Sequence, residues 1–526
     1  MQILNKKTFI FVILLLALLP IMLLRDFTPD NELRYLSIAD EALRNHTFFA
    51  FTNHGVAYAD KPPFYLWLVM LLRWVLGSHQ MWALSLLSLI PAGAIACIMD
   101  RWAEKDLNVQ QRPIAFLLLL STGLFLGAAL TVRMDMLMCL FIILAMRSFG
   151  RMLTSSPQQL HKQQWLFAFY TFMALFTKGP FGVLFPLLTS IVFLLYLRQP
   201  RKLTWVLGWR TWAVLLAGCA IWWGLTYAEG GAAYLNNLLF HQTVDRAVNA
   251  FHHKRPFYYY FICLWYCLAP WAIYAIVSLV RSRFKDAKRS VLSDYYLLSG
   301  ITIIVVLSCV SSKLQIYMLP ALPLLIYAAA LNLKEDSDST WCKVCLAIPA
   351  AIFVLVLPAV IVYAHIITTT ALPIPLIGYA AAAVLSIGGI YSLYVLCKRK
   401  STHATYQSIR AIAYTLFATL FVGGFALIPF DSYVGYRSLC KRTLELSNQT
   451  GIKRITGYKL KNASDMDVYL ERSVDTWPLS ETPVDSLNRP TLLLAPTNKL
   501  TDLNLPQEEV ETVGKKERFR RNIMAI

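Results

Sequence analysis

The stretch from Lys6 to Tyr35 reads KKTFIFVILLLALLPIMLLRDFTPDNELRY. Two lysines lead into an apolar run, Phe9–Leu24, and an acidic, arginine-bearing loop follows it. Lysines ahead of an apolar run are also the pattern of a secretory signal. No small-residue cleavage site follows this one, so the run reads as a span that stays in the chain. Working outward, about thirteen apolar stretches approach the roughly 20 residues a helix needs to cross a bilayer. They include Leu84–Met99, Ile114–Leu130, Tyr258–Val280, Trp341–Ile367, Ile374–Leu396 and Ile412–Ile428. Met136–Met146 and Trp165–Phe176 are short and must borrow flanking residues.

Composition agrees with that reading. Of 526 residues, 57% are hydrophobic and 15% charged, whereas soluble domains carry about a quarter charged residues. Disorder, a fibrous repeat and an ordinary cytosolic enzyme are excluded. The net charge of +19 could indicate nucleic acid, but the basic residues are scattered between apolar runs, as in the loops of a membrane protein. The ten cysteines show no metal-type clustering; Cys263/Cys267 and Cys342/Cys345 lie in or beside apolar runs and read as buried thiols.

Loops on the amino-terminal side are richer in Lys and Arg, for example Arg281, Arg283, Lys285, Lys288 and Arg289. The positive-inside rule then predicts a cytoplasmic amino terminus and an outside carboxyl terminus. Residues 25–79 become a long outside loop in which Leu36–Leu43 and Phe64–Leu76 look interfacial. Residues 431–526 alternate polar segments with short apolar runs such as Thr491–Ala495, and about 95 residues suffice for one small soluble domain. The expected fold class is an all-α polytopic membrane body over residues 1–430 with a small C-terminal α/β soluble domain over 431–526.

Charges near membrane depth are expensive, so they mark function unless they snorkel at helix ends. Under this topology the conspicuous clusters all fall on the outside face. Asp30-Asn31-Glu32-Leu33-Arg34-Tyr35 holds two carboxylates and a guanidinium. These can pair with each other, orient a nucleophile or hold a phosphate; a solvated loop capping a helix is the plain alternative. In Asp60-Lys61-Pro62-Pro63 the prolines fix the backbone, so Lys61 either meets an anionic head group or snorkels. Arg133-Met134-Asp135 occupies a very short turn between spans, as a functional acid or a structural ion pair. Thr177-Lys178-Gly179-Pro180 breaks a helix and frees backbone groups, or is a simple loop. His252-His253-Lys254-Arg255 could hold phosphate or metal, although an isolated His pair is a weak metal signal. Ser312–Pro320 adds Lys313 and Tyr317. Cations suit phosphate oxygens, and carboxylates among them suit sugar chemistry at a phosphate-linked carbon. Glycine-rich nucleotide loops are absent from the sequence, so the expected energy source is the substrate's own phosphate bond, supplied from a lipid.

In this order, the clusters resemble those of the polyprenyl-phosphate-dependent GT-C glycosyltransferases, notably the bacterial lipid A aminoarabinose transferases and their protein mannosyltransferase-like relatives. The family's acidic Asp-Glu-x-Arg-Tyr motif is similar to Pro29–Tyr35, its acidic-Lys-Pro motif to Asp60-Lys61-Pro62, and its later Asp to Asp135. Its Thr-Lys-Gly element is similar to Thr177-Lys178-Gly179, its His-x-x-Pro-Phe element to the stretch from His253, and its Lys-Leu-x-x-Tyr-x-Leu-Pro to Lys313–Pro320. The likeness covers about Phe9 to Ala330 and is looser beyond. One departure stands out: counted back from Arg34, the family's Asp falls on Asn31, whereas counted forward from Pro29 it falls on Asp30 with one residue inserted.

The resemblance implies a GT-C fold with about 13 transmembrane helices in a bacterial inner membrane. It implies inverting transfer of a sugar from undecaprenyl phosphate to an acceptor at the periplasmic face, lipid A or a related glycolipid, with protein hydroxyls as the other acceptor class. Asp30 would position or activate the acceptor and Asp135 would assist, with Glu32 in reserve. Lys61, Arg34, Lys178, Arg255, Lys313 and Tyr317 would hold the donor phosphate. Asp60 with His253 would bind a divalent metal, as in some relatives; no nucleotide cofactor and no nucleic acid partner are implied. A transporter or flippase of lipid-linked sugars, and a membrane sensor, are the competing classes. The long motif-bearing loop and the tail argue against a flippase, and a sensor needs no convergent carboxylates.

Overall fold

The structure is a computed structural model, which describes residues 2–240, 254–284, 290–337, 339–366, 374–398, 402–430, 435–477, 490–496, 510–513 and 521–525. Helices dominate, because an apolar segment in lipid must satisfy its backbone groups internally. The chain begins with α1 (Gln2–Leu24), then α2 (Glu32–Asn45), a short hairpin of β1 (Thr52–Asn53) and β2 (Val56–Ala57), α3 (Phe64–Leu76) and α4 (Met81–Trp102). Next come α5 (Gln111–Leu120), α6 (Gly123–Ala128), α7 (Asp135–Met152), α8 (Pro157–Lys178) and α9 (Phe181–Tyr196). Helix α1 lies against α4 and the late helix Thr402–Gly424, and α7 packs along α8. One continuous apolar core runs through these helices, and a second lies beneath the first loop and the tail.

Among the described residues, seven helices are long and apolar enough to cross a membrane, or eight if one bent pair counts as a span. Phe64–Leu76, Gln111–Leu120, Phe181–Tyr196 and Ala321–Leu331 are apolar but shorter. The chain is a multi-pass membrane protein. Two stretches read from sequence as single spans are broken. Ile114–Leu130 divides at Ser121-Thr122, whose hydroxyls donate back to the Leu117 and Leu118 carbonyls at 2.6 and 2.8 Å. Tyr258–Val280 divides into Tyr259–Cys267 and Ala272–Arg281, bent by 114°. The two breaks satisfy each other: the Gly123 amide donates to the Ala269 carbonyl at 2.7 Å, and the Trp271 indole donates to Ser121 Oγ at 3.0 Å. A Cβ at Gly123 would sit 3.2 Å from that carbonyl oxygen, so the approach depends on glycine.

The two stretches singled out in the first loop, Leu36–Leu43 and Phe64–Leu76, fall on α2 and α3. Trp74 and Val75 on α3 are exposed, while Arg73 Nε donates to Asp40 at 2.8 Å. Beyond residue 435 the chain forms the helix Arg437–Thr450 and strands β3 (Arg454–Tyr458), β4 (Asp475–Trp477), β5 (Thr491–Pro496), β6 (Val510–Val513) and β7 (Arg521–Ala525). Their order is β4-β3-β5-β7-β6; β3 pairs parallel with β4 and β5, and β7 antiparallel with β5 and β6. The apolar run at Thr491–Ala495 is the buried central strand.

The tail is clasped to the first loop. Buried Asp26 accepts from the Arg437 amide at 2.9 Å and from the Tyr469 hydroxyl. The Asn462 amide group donates to the Pro29 carbonyl at 3.0 Å. His54 Nε2 lies 3.1 Å from Asp465 and its Nδ1 3.9 Å from Asp467, which also accepts from Ser37 at 3.0 Å. The Asp465 hydrogen bond raises the imidazole above its ordinary value, against the opposing effect of burial. Burial raises Asp467 to about 6, partly offset by His54. The sign is the same for both groups: each raised value gives stability that is complete below the unfolded value and lost as pH rises through the folded one. The melting advantage of the wild type over His54→Gln should therefore shrink as pH rises from about 5.5 to 8. Thermal melts across that range check this; a constant gap would remove His54 from the clasp.

Candidate active site

The site grows from the turn between α6 and α7. Ser88 Oγ on α4 donates to the Thr131 carbonyl at 2.6 Å and to the Arg133 carbonyl at 3.2 Å, pinning the turn. Asp135 opens α7 and is buried at 2% exposure. Its carboxylate accepts from Arg133 Nε at 3.2 Å and from the Lys178 ammonium. Lys178 is brought there because α8 stops at Gly179, whose φ of +116 is open to glycine. The ammonium also lies 4.7 Å from the centre of the Tyr317 ring, a cation–π contact. Asp60 and Lys61 pair at 3.2 Å, and Lys61 is close enough to act on the charge of Lys178. Tyr35 and Tyr65 back the cluster, with ring centres 6.0 Å apart. Both phenols feel the charges of Arg133 and Asp135.

Glu32 lies behind this cluster. It accepts from Arg25 through two bonds of 2.7 and 2.8 Å, from the Thr28 amide at 2.9 Å and hydroxyl at 3.1 Å, and from the Val132 amide at 2.9 Å. Burial would raise its carboxyl, but the Arg25 guanidinium and the two amides hold it below the usual value. Arg25 also donates to the Leu130 carbonyl at 3.3 Å. Glu32 and Arg25 thus fix the turn that presents Arg133 and Asp135. Arg25 escaped the sequence reading; its signal was a lone cation at the end of the first span, seven residues before Glu32.

The remaining residues divide. Asp30 is exposed, and its carboxylate pairs with Lys461 of the tail at 2.6 Å, so the structure does not bring it to Asp135. Asn31 is the residue before α2 and makes no side-chain cap. Arg34 lines a separate small cavity of about 290 Å³ with Tyr58, Asn462 and Asp465. Lys313 is buried and donates to the Val310 carbonyl. Arg255 is exposed, next to Lys254, which bridges to Ser312. Tyr260 donates to the Leu314 carbonyl at 3.2 Å, joining that segment to the one bearing Lys313 and Tyr317. His253 lies outside the described residues. Asp60 faces an ammonium, and among the described residues no group of three metal-type ligands forms. The expected Asp60–His253 pair thus falls partly outside the described residues, and the chemistry below is derived from protein side chains alone.

A buried carboxylate among several cations and phenols, at the end of an apolar helical bundle, suits a phosphate-bearing substrate and proton transfer beside it. The fold agrees. The structure of ArnT from Cupriavidus metallidurans bound to undecaprenyl phosphate superposes with a TM-score of 0.78 at 18% identity, covering 98% of this chain and 97% of that one. Its apo state gives 0.75 at the same identity and coverage. In sequence the chain is 25% identical over 357 residues to the undecaprenyl phosphate-alpha-4-amino-4-deoxy-L-arabinose arabinosyl transferase of Shewanella sediminis, covering 66% of this chain and 64% of that protein. It is 25% identical over 314 residues to the corresponding transferase 1 of Pseudomonas fluorescens, covering 58% and 53%. The chain thus spans somewhat more than half the length of these curated relatives. No protein-family model matches it. The chain is similar in fold and sequence to the polyprenyl-phosphate-dependent GT-C glycosyltransferases.

Proposed function

We propose that the chain is an inverting membrane glycosyltransferase of a bacterial inner membrane. It moves a sugar from undecaprenyl phosphate to lipid A or a related glycolipid at the periplasmic face. The observation that carries this reading is the buried Asp135 held between Arg133 and Lys178, with the Tyr317 ring against Lys178. Cations at that depth match a lipid phosphate. Arg133 and Lys178 each hold one oxygen of the Asp135 carboxylate. The donor's phosphate draws Lys178 and Arg133 toward itself, and Lys61, Lys313, Arg255 and Tyr317 complete its cradle. The released carboxylate then accepts the proton of the acceptor hydroxyl as that oxygen attacks the anomeric carbon. The bond from that carbon to the phosphate oxygen breaks, and polyprenyl monophosphate leaves. We give the proton-accepting role to Asp135 rather than to Asp30, which Lys461 holds at the tail, and a positioning role to Glu32.

The test is direct. Purified protein with a polyprenyl-phosphate aminosugar and lipid A should release free lipid phosphate and add one sugar mass to the glycolipid. Absence of both would sink the reading; release with a peptide acceptor alone would move the acceptor to protein. Lys61→Ala should weaken donor binding about 10-fold or more, as a charged hydrogen bond contributes roughly 1.5–3 kcal/mol. Unchanged donor affinity in the folded variant would exclude Lys61. Residues 1–430 are read as the catalytic body and 431–526 as a periplasmic α/β domain. A reporter active only in the cytoplasm and fused after Ile526 should stay silent; activity there would reverse the orientation.

A further inference from the structure

Three arginines lie at the end of the bundle away from Asp135. Arg147 and Arg151 are one turn apart on α7, and Arg101 ends α4. Arg147 is about 18 Å further along α7 than Asp135, at 1.5 Å rise per residue. Besides burial, the groups that act most on Arg147 are Arg151, Tyr296, Arg101 and Tyr170. Among the described residues none of the three arginines has an ion-pair partner. The nearby acids are engaged: Asp100 by Lys7 and Arg112, Glu104 by Arg112, and Asp106 by the Ser290 hydroxyl.

Two buried polar atoms sharpen the picture. Arg147 Nε and the Tyr296 hydroxyl are both shielded and have no hydrogen-bond partner. Tyr296 is wholly buried and held by an edge-on contact with Trp102 at 4.9 Å. A buried donor without an acceptor is costly, and like charges one turn apart on a helix repel. A solvated rim of snorkelling arginines would explain the charge, but not the buried Nε and phenol.

We propose that this cluster is a headgroup site for an anionic phospholipid in the leaflet opposite the transfer site. A phosphate diester offers acceptor oxygens to guanidinium forks and to a phenolic O–H. Basic pockets between membrane helices on one face take anionic headgroups in this way. The lipid is favoured over a free anion because Arg147 lies part-buried between apolar helices, where acyl chains can run alongside while the headgroup reaches the arginines. The site is separate from the transfer site and does not depend on the transfer reaction.

The experiment compares purified protein in nanodiscs of phosphatidylcholine with and without phosphatidylglycerol, reading melting midpoint and lipids retained in native mass spectrometry. Phosphatidylglycerol should raise the midpoint of the wild type and remain bound, and Arg147→Gln should lose most of both effects. Should Arg147→Gln fail to fold, the Arg101→Gln/Arg151→Gln double variant, at exposed positions, carries the same expectation. An equal shift in the variants, or an equal shift with phosphatidylcholine alone, overturns the site. An equal shift from inorganic phosphate in phosphatidylcholine overturns the lipid assignment.

Discussion

Asp135→Asn should cut turnover by about 10²–10⁴-fold, the usual cost of losing a general base, while donor binding is kept or tightened. The amide preserves size, so the buried pocket stays filled. It removes the negative charge that Arg133 and Lys178 now share, leaving two part-buried cations without that anion. Such cations are costly alone, and the phosphate of the lipid donor is the anion that relieves them. The variant should therefore melt earlier than the wild type when empty and be stabilised more by polyprenyl phosphate. Initial rates of lipid-phosphate release, paired with donor-dependent melting, separate the two effects. A turnover within about threefold of wild type would remove Asp135 from the proton-accepting role. Asp30→Asn in the same assay would then become the leading test of the acid, as its exposed carboxylate is held only by an exposed Lys461.

The charged clusters could be located in the sequence because each couples a charge to a helix break. Gly179 follows Lys178, Pro62 follows Lys61, and Asp135 begins a helix straight after a tight turn. What local sequence could not sort was the acidic motif after the first span. Asp30 and Glu32 are two residues apart and chemically alike. Their fates are set by partners far along the chain: Lys461 for Asp30, and the Val132 amide for Glu32. Burial separated them, and burial depends on tertiary packing. The same holds for the break at Ser121-Thr122. Hydroxyls inside an apolar run are tolerated in a straight span, and only the facing bend at Ala269–Trp271 converts them into a break. The helix α3 was easier to bound, because Pro63 precedes it and Gly77 follows it.

Arg25→Ala should be the most destabilising single change near the site, at about 3–5 kcal/mol, the cost of removing one partner of a buried ion pair. Glu32 would remain buried with the Thr28 and Val132 donors but no counter-charge. The loss does not stop at the pair. The Leu130 carbonyl loses its guanidinium donor, and the turn presenting Arg133 and Asp135 is then held by the Val132 amide on Glu32 and by Ser88. Replacing both partners is milder than breaking the pair, since no uncompensated charge is left. Arg25→Met with Glu32→Gln should therefore recover part of the stability lost in Arg25→Ala. The pH dependence gives a readout that a direct catalytic role for Glu32 would not produce. The carboxyl is held below its ordinary value in the folded protein, so its stabilisation is present above the unfolded value and lost as pH falls through the folded one. Without Arg25 the wild-type gain in stability on raising the pH from about 3 to 5 should shrink. Chemical unfolding in mixed micelles at several pH values measures both quantities. A variant within about 1 kcal/mol of wild type would show that the clamp contributes little and that Glu32 is free to act on substrate.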